Sequence, residues 1–246
     1  MMEKREKKSM GKKESFFLDK SNVAAYMLAG LIVENKKECL INPAIIYAES
    51  GNGKSHIVGI IKENLNEKGK KVKVVKADDF TSEHIDTIKS NDFNRRDFCK
   101  RYDDVDILVV EDMQHLQGKN STQEYLVDII ERLIEKGNKQ LVFTMNCVPD
   151  RLERFEERLM TKFSNCVQIQ ILPPNKNMKK RIIRKWCHDN KQKLSKKSVK
   201  RIVRNNYSVG EVLGFLKHLE LYTQLCECPA DKKLVNRVLR ERGVAV

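Results

Sequence analysis

Apolar residues along this chain fall into two alternating rhythms. Short runs dense in Val and Ile read as strands: PAIIYA (43–48), KVKVVKA (71–77), VDILVVED (105–112), KQLVFTMN (139–146) and CVQIQIL (166–172). Most lack the polar alternation of a sheet with one wet face, which predicts burial on both faces. Helical spacing fills the gaps. Between Thr122 and Lys136, Leu126, Ile129, Ile130, Leu133 and Ile134 fall at i, i+3, i+4, i+7 and i+8, a single apolar stripe. Repeated strand–helix alternation predicts an α/β fold, a parallel five-stranded sheet with helices on both faces.

The rhythm changes at Pro173-Pro174, where two prolines end the fifth strand. Beyond them only helical spacing is found: Ile182, Ile183 and Trp186, then Val199, Ile202 and Val203, a stretch over 209–226, and Leu234, Val235, Val238 and Leu239. The reading divides the chain into a disordered basic lead-in (1–14), an α/β domain (15–174) and a small all-α domain (175–246).

Composition refines this picture. With 246 residues, 40% hydrophobic and 33% charged, the chain has enough material for a sizeable core under an ionised surface. No apolar run approaches the length of a bilayer span, so no membrane partner is expected. The opening MMEKREKKSMGKKE has no apolar stretch of the secretory kind. Seven scattered cysteines, an odd number, suit free thiols in a reducing cytoplasm. Cys226-x-Cys228 is spaced too closely for the usual structural zinc patterns. The formal charge of +14 is concentrated: residues 176–204 hold thirteen Lys and Arg against one carboxylate, Asp189. Such a run is the footprint of nucleic acid or an acidic protein, or else a solvated face.

The strongest chemical signal is Ala48-Glu49-Ser50-Gly51-Asn52-Gly53-Lys54-Ser55, followed by His56, between an expected strand and an expected helix. That context and spacing mark a phosphate-binding loop. Gly51 and Gly53 let backbone N–H groups converge on phosphate oxygens, and the helix beginning near Lys54 points its positive end at the same anion. Lys54 would neutralise the outer phosphates of ATP and the Ser55 hydroxyl would hold Mg²⁺. The customary first glycine is Ala48, which costs little where the local φ is negative. Ile107-Leu108-Val109-Val110-Glu111-Asp112 supplies the acidic complement, with Glu111 on the metal's water and Asp112 polarising an attacking water.

At these residues the sequence resembles the DnaA/Hda group of AAA+ proteins, almost end to end. FFLDKSN (16–22) is similar to the segment that helps enclose adenine in that family, which implicates Phe16 and Asn22. NPAIIYAESGNGKSHI resembles its strand and phosphate loop, bringing Ser50, Asn52 and His56 into the nucleotide site. VDILVVEDMQHLQGKNSTQE (105–124) is similar to its acidic strand and a following segment specific to the group. The resemblance implies that Asn146 senses the γ-phosphate and that FEERLMTKF (155–163) carries two basic residues, Arg158 and Lys162, toward a neighbouring subunit's nucleotide. Pro173-Pro174 matches the junction to the family's helical lid. Asp79–Tyr102 falls where the family inserts a helical element lining a channel for single-stranded DNA, so Lys89, Arg95, Arg96, Lys100 and Arg101 are expected to face phosphates.

Departures from the family pattern shape the functional expectation. Lys162 stands at the position of the family's arginine finger, and a lysine lacks the planar two-pronged grip. Gly210 stands at the position of the lid arginine. The chain also stops near Val246, where the initiator continues into its helix-turn-helix, so sequence-specific reading of duplex DNA is not expected. The reading is therefore a cytoplasmic protein of chromosomal replication initiation or its regulation. It would bind ATP and Mg²⁺, assemble with DnaA-type subunits, contact single-stranded DNA and hydrolyse ATP slowly at most. The alternatives are a pseudo-ATPase nucleic-acid binder or a mobile-element helicase loader. Clamp binding is not expected, since the N-terminus has no glutamine–leucine motif, and a metabolic kinase would share only the phosphate loop.

Overall fold

A computed structural model describes residues 16–34, 41–89 and 94–244. The lead-in at 1–14 and Cys39 lie outside the described residues. The chain forms two compact units, one of residues 24–34, 41–48, 54–89 and 94–171, the other of 16–23, 49–53 and 172–244.

The first unit is the α/β body. Its strands are β1 (Ala44–Tyr47), β2 (Val72–Lys76), β3 (Ile107–Glu111), β4 (Gln140–Met145) and β5 (Val167–Gln170), all parallel, in the order β2-β3-β4-β1-β5. Helices α1 (Val23–Glu34), α2 (Lys54–Glu67), α3 (Ala77–Lys89), α4 (Arg95–Lys100), α5 (Asn120–Glu135) and α6 (Glu157–Ser164) accompany the strands. Burial on both faces holds for the central three: every residue of β3 is buried, as are Ala44–Ile46 of β1 and Leu141–Met145 of β4. The expectation fails at the edges. Val167, Gln168 and Gln170 of β5 are exposed and most of β2 is half-buried, because an edge strand has a neighbour on one side only. Within α5, Leu126, Ile129, Ile130 and Leu133 are buried but Ile134 is 43% exposed, since the stripe rotates away from the sheet by its last turn.

Two features tie the helices of this unit to one another and to their connecting turns. Phe80 of α3 meets Phe98 of α4 and Tyr102 edge to face, with centroids 5.7 and 5.6 Å apart, and the Tyr102 hydroxyl donates to Glu83 at 2.8 Å. Gln123 of α5, fully buried, donates through Nε2 to the carbonyls of Leu116 (2.7 Å) and Arg154 (3.0 Å), and its Oε1 accepts from the Glu156 amide (2.6 Å). The Gln123 amide thereby fixes the turn that enters α6.

The second unit contains a four-helix bundle of α7 (Lys176–Asp189), α8 (Lys196–Arg204), α9 (Val209–Leu225) and α10 (Lys232–Glu241). Side-chain caps start each helix: Asn175, Ser195, Ser208 and Asp231 each accept from an amide of the first turn. The core is Ile183, Trp186, Ile202, Phe215, Leu219, Val235, Val238 and their neighbours, with Phe17 against it. No helix among the described residues is long and apolar enough to cross a membrane. The six described cysteines are all unpaired.

Candidate nucleotide site

Parallel topology aligns the carboxyl ends of β3, β4 and β1, where open α/β sheets hold their ligands. Glu111 ends β3, Asn146 follows β4, and Ala48 follows β1. Two strand spacings, roughly 10 Å, separate the first of these from the last. Lys54 opens α2 immediately after the loop. It is 8% exposed, and its Nζ donates to the Ala48 carbonyl at 2.8 Å. Burial pushes the Lys54 ammonium below the usual lysine range, while the Asp112 and Glu111 carboxylates pull it back up. The lysine and the acidic strand end therefore share one electrostatic environment.

Glu111 is buried and its Oε1 has no hydrogen-bond partner. A buried carboxylate oxygen left unpaired is costly, and a hydrated cation beside it would remove that cost. No cluster of three or more metal-ligating side chains exists among the described residues. The donor set fits Mg²⁺, which is commonly bound through one or two protein oxygens together with phosphates and water.

Asp112 has a left-handed backbone, φ 59°, a region that Asp tolerates better than most residues. The backbone there is fixed by the Asp112 amide donating to Thr144 Oγ1 at 3.1 Å. Gln114 then links two candidates: its Nε2 donates to Asp112 Oδ1 at 3.3 Å and its Oε1 accepts from the Asn146 amide at 3.1 Å. The sequence alone marks neither Thr144 nor Gln114 as part of the site. A lone threonine in the apolar run LVFTM, fully buried, was the available signal.

The turn 49–53 belongs to the second compact unit. Gly51 and Gly53 have φ of 78° and 95°, which side chains rarely adopt, while Ala48 is absent from the positive-φ residues and is unstrained. Ser50 is exposed; Asn52 is buried and its Oδ1 has no partner. Ser55 is exposed and His56 half-buried at the start of α2. Within the same unit as the turn, the Gly210 amide donates to the Gly51 carbonyl at 2.9 Å. A Cβ on Gly210 would come within 3.1 Å of Gly51 Cα, a contact that the Gly51 backbone would have to relieve by a few tenths of an ångström. Asn22 spends its amide locally, accepting from the Asp19 amide (2.9 Å) and donating to the Phe17 carbonyl (3.0 Å); Phe16 is half-buried nearby in sequence.

On α6, Arg158 and Lys162 share one carboxylate of their own chain, Glu131 of α5, at 2.9 and 3.2 Å. Among the cations of the α3–α4 segment, Arg95 binds Asp128 at 2.6 Å and Lys100 binds Asp97 at 2.8 Å. Arg101 lies over the Phe98 ring. Lys89 and Arg96 are exposed with no ion-pair partner among the described residues.

Comparison with known proteins bears on the fold and the family. The family described as the bacterial DnaA ATPase domain matches residues 9–170. The chromosomal replication initiator protein DnaA of Helicobacter hepaticus is 30% identical over 92% of this chain and 49% of its own length. The chain thus spans about half the length of the curated relatives it matches. Domain III of the Thermotoga maritima replication initiation protein DnaA superposes with a TM-score of 0.82 at 26% identity, covering 92% of this chain and 94% of that one. A replication initiator DnaA bound to AMPPCP and single-stranded DNA gives a TM-score of 0.75 at 26% identity, covering 84% and 63%. With that family matched over residues 9–170 and domain III of a DnaA superposing on 92% of the chain, this protein belongs to the bacterial DnaA ATPase-domain family.

Proposed function

We propose that this chain is an ATP-binding, DnaA-type AAA+ protein of the cytoplasm that acts in chromosomal replication initiation or its regulation. Residues 15–174 would form the nucleotide-binding domain and 175–246 its lid. The observation that carries the reading is the shared environment of Lys54 and the Glu111–Asp112 pair, with Glu111 Oε1 unpartnered. Ser50–His56 would bind the phosphates, Phe16 and Asn22 would stand by the base, and Ser55 and Glu111 would hold Mg²⁺. The metal, when bound, would screen phosphate charge. Asp112, held in place by Thr144 and Gln114, would orient a water, and Asn146 would respond to the terminal phosphate.

Assembly with DnaA-type subunits and contact with single-stranded DNA are supported by the family and by the relative solved with that strand. Hydrolysis would be slow or absent. Gly210 offers no charge, and Lys162 and Arg158 already neutralise Glu131. Groups that stabilise charge on a transferring phosphoryl are worth about a thousandfold or more in rate. The test is nucleotide affinity and turnover for the wild type and Lys54→Ala, each alone and with a full-length DnaA-type partner. We expect tight ATP binding by the wild type, loss of at least about a hundredfold on removing the ammonium, and turnover near background. Equal affinity of the two proteins sinks the site, and brisk turnover by the isolated chain sinks the slow-ATPase reading.

A further inference from the structure

Helix α8 carries charge in a way that helix stability does not explain. At 3.6 residues per turn, Lys196, Lys197, Lys200 and Arg204 project within about 100° of arc, and all four are exposed. Ser198 and Ile202 on the other side, and Val203 at the edge of the charged arc, are buried in the bundle. None of the four cations has an ion-pair or hydrogen-bond partner among the described residues. Some other cations of the same run are engaged, Lys179 with the Asn206 carbonyl at 2.8 Å, Lys185 with Asp189 at 2.9 Å and Arg201 with Asn236, while Lys176, Lys180, Arg184, Lys191 and Lys193 are as free of ion pairs among the described residues as the four on α8.

The arrangement is locally unfavourable. Lys196 and Lys197 occupy the first turn, where the helix dipole is positive and no acid is present to offset them. Lys196 and Lys200, then Lys200 and Arg204, repel at i,i+4. A face selected only for solubility has no reason to carry this cost; violations of local rules gather where a surface has another task. The face also has no apolar residue that a protein partner could desolvate, and the apolar side of α8 is committed to the bundle and cannot enter a bilayer. What remains is recognition of a polyanion by charge. Three residues past Arg204 the chain presents Tyr207, 74% exposed, an aromatic ring open to stacking.

We infer that the outward face of α8, with Tyr207, is a contact surface for single-stranded DNA that acts without nucleotide. Four-residue steps along the helix advance about 6 Å, a spacing that lets successive cations meet successive phosphates. Tyr207 supplies a stacking platform for an unpaired base. The inference leans on the family reading for the choice of DNA but not on ATP binding, and its test keeps the two apart.

Binding of a labelled 30-nucleotide oligothymidylate is followed by fluorescence anisotropy against salt, without nucleotide, in wild type and Lys54→Ala. Both are expected to bind alike. The double variant Lys197→Gln/Lys200→Gln is expected to weaken binding about tenfold or more near 0.1 M salt and to flatten the slope of log affinity on log salt by about 1.4. Tyr207→Ala is expected to lose about fivefold or more, with Tyr207→Phe restoring it. The thermal midpoint of each variant, expected at or above that of the wild type, confirms folding. An unchanged salt slope in the double variant overturns the inference, as does a loss confined to Arg96→Gln on α4. Equal binding of duplex with no effect of Tyr207→Ala overturns it too, and so does tighter binding of oligouridylate or of anionic phospholipid vesicles. Failure of nucleotide binding with α8-dependent DNA binding intact would refute the proposed function alone.

Discussion

Helices α5 and α8 both carry dense polar and charged sequence, and they handle it in opposite ways. Along α5 most such groups have a partner within their own unit. Asp128 takes Arg95 at 2.6 Å, Arg132 reaches Asp103 at 2.6 Å, Glu131 takes Arg158 and Lys162, and Gln123 closes three backbone hydrogen bonds. Along α8 the outward cations have none. The difference separates charge that shapes a protein from charge held ready for a partner. It also predicts that substitutions in the two helices differ in size and even in sign.

The comparison breaks most readily at Gln123. Replacing it with Ala leaves the Glu156 amide without its partner and takes one of two donors from each of the Leu116 and Arg154 carbonyls, which keep the Lys119 and Gly118 amides at 3.0 Å. One unsatisfied group costs about 1–3 kcal/mol, and a loss of that size is expected in denaturant unfolding. Because the same amide fixes the turn entering α6, assembly with a DnaA-type partner should weaken as well. A loss below about 1 kcal/mol would mean that α5 is no more firmly built in than α8.

A middle-sized effect is expected at His84, which is 2% exposed, bonded through Nδ1 to Thr122 of α5 at 3.1 Å, and packed against the Tyr125 ring at a centroid distance of 4.2 Å and a tilt of 50°. Its Nε2 has no partner. Burial holds its pKa below the ordinary histidine value of 6.5, with the Arg95 charge acting in the same direction. A group with a depressed folded pKa contributes stability that is fully present above the unfolded value and is lost as pH falls through the folded one. Unfolding free energy should therefore decline below about pH 6.5, and His84→Gln should flatten that decline. Identical pH profiles for both proteins would remove His84 from this role.

Much of this difference was legible in sequence, but not all of it. Strands, crossovers and the phosphate loop were readable because burial forces a period and a loop of glycines forces a spacing. All five strands appear within two residues of the expected ends. The unopposed cations of 176–204 were visible too, since carboxylates were missing from the run itself. Partners distant in sequence left no such trace: Glu131 lies 27 residues before Arg158, and nothing in either segment announces the pair. Gln123 sat inside a recognisable segment, yet its three bonds go to backbone atoms, which no side-chain pattern records. Thr144 and Gln114 escaped notice for the same reason.

The smallest effect has the most telling sign. Lys196 stands at the first position of α8, and Glu there would replace repulsion from the helix dipole with attraction. It would also turn the Lys200 contact from a like-charge pair into the favourable Glu-before-Lys order at i,i+4. The expected gain for Lys196→Glu is about 0.3–1 kcal/mol, read as a rise of a few degrees in thermal midpoint at low salt and a smaller rise at about 1 M salt. Helix α3 provides the control, because its first turn already holds Asp78 and Asp79 and its last turn Lys89. Reversing Asp79 to Lys should lower stability where reversing Lys196 raises it. Were Lys196→Glu to destabilise the protein instead, those lysines would be bracing the bundle rather than awaiting an anion.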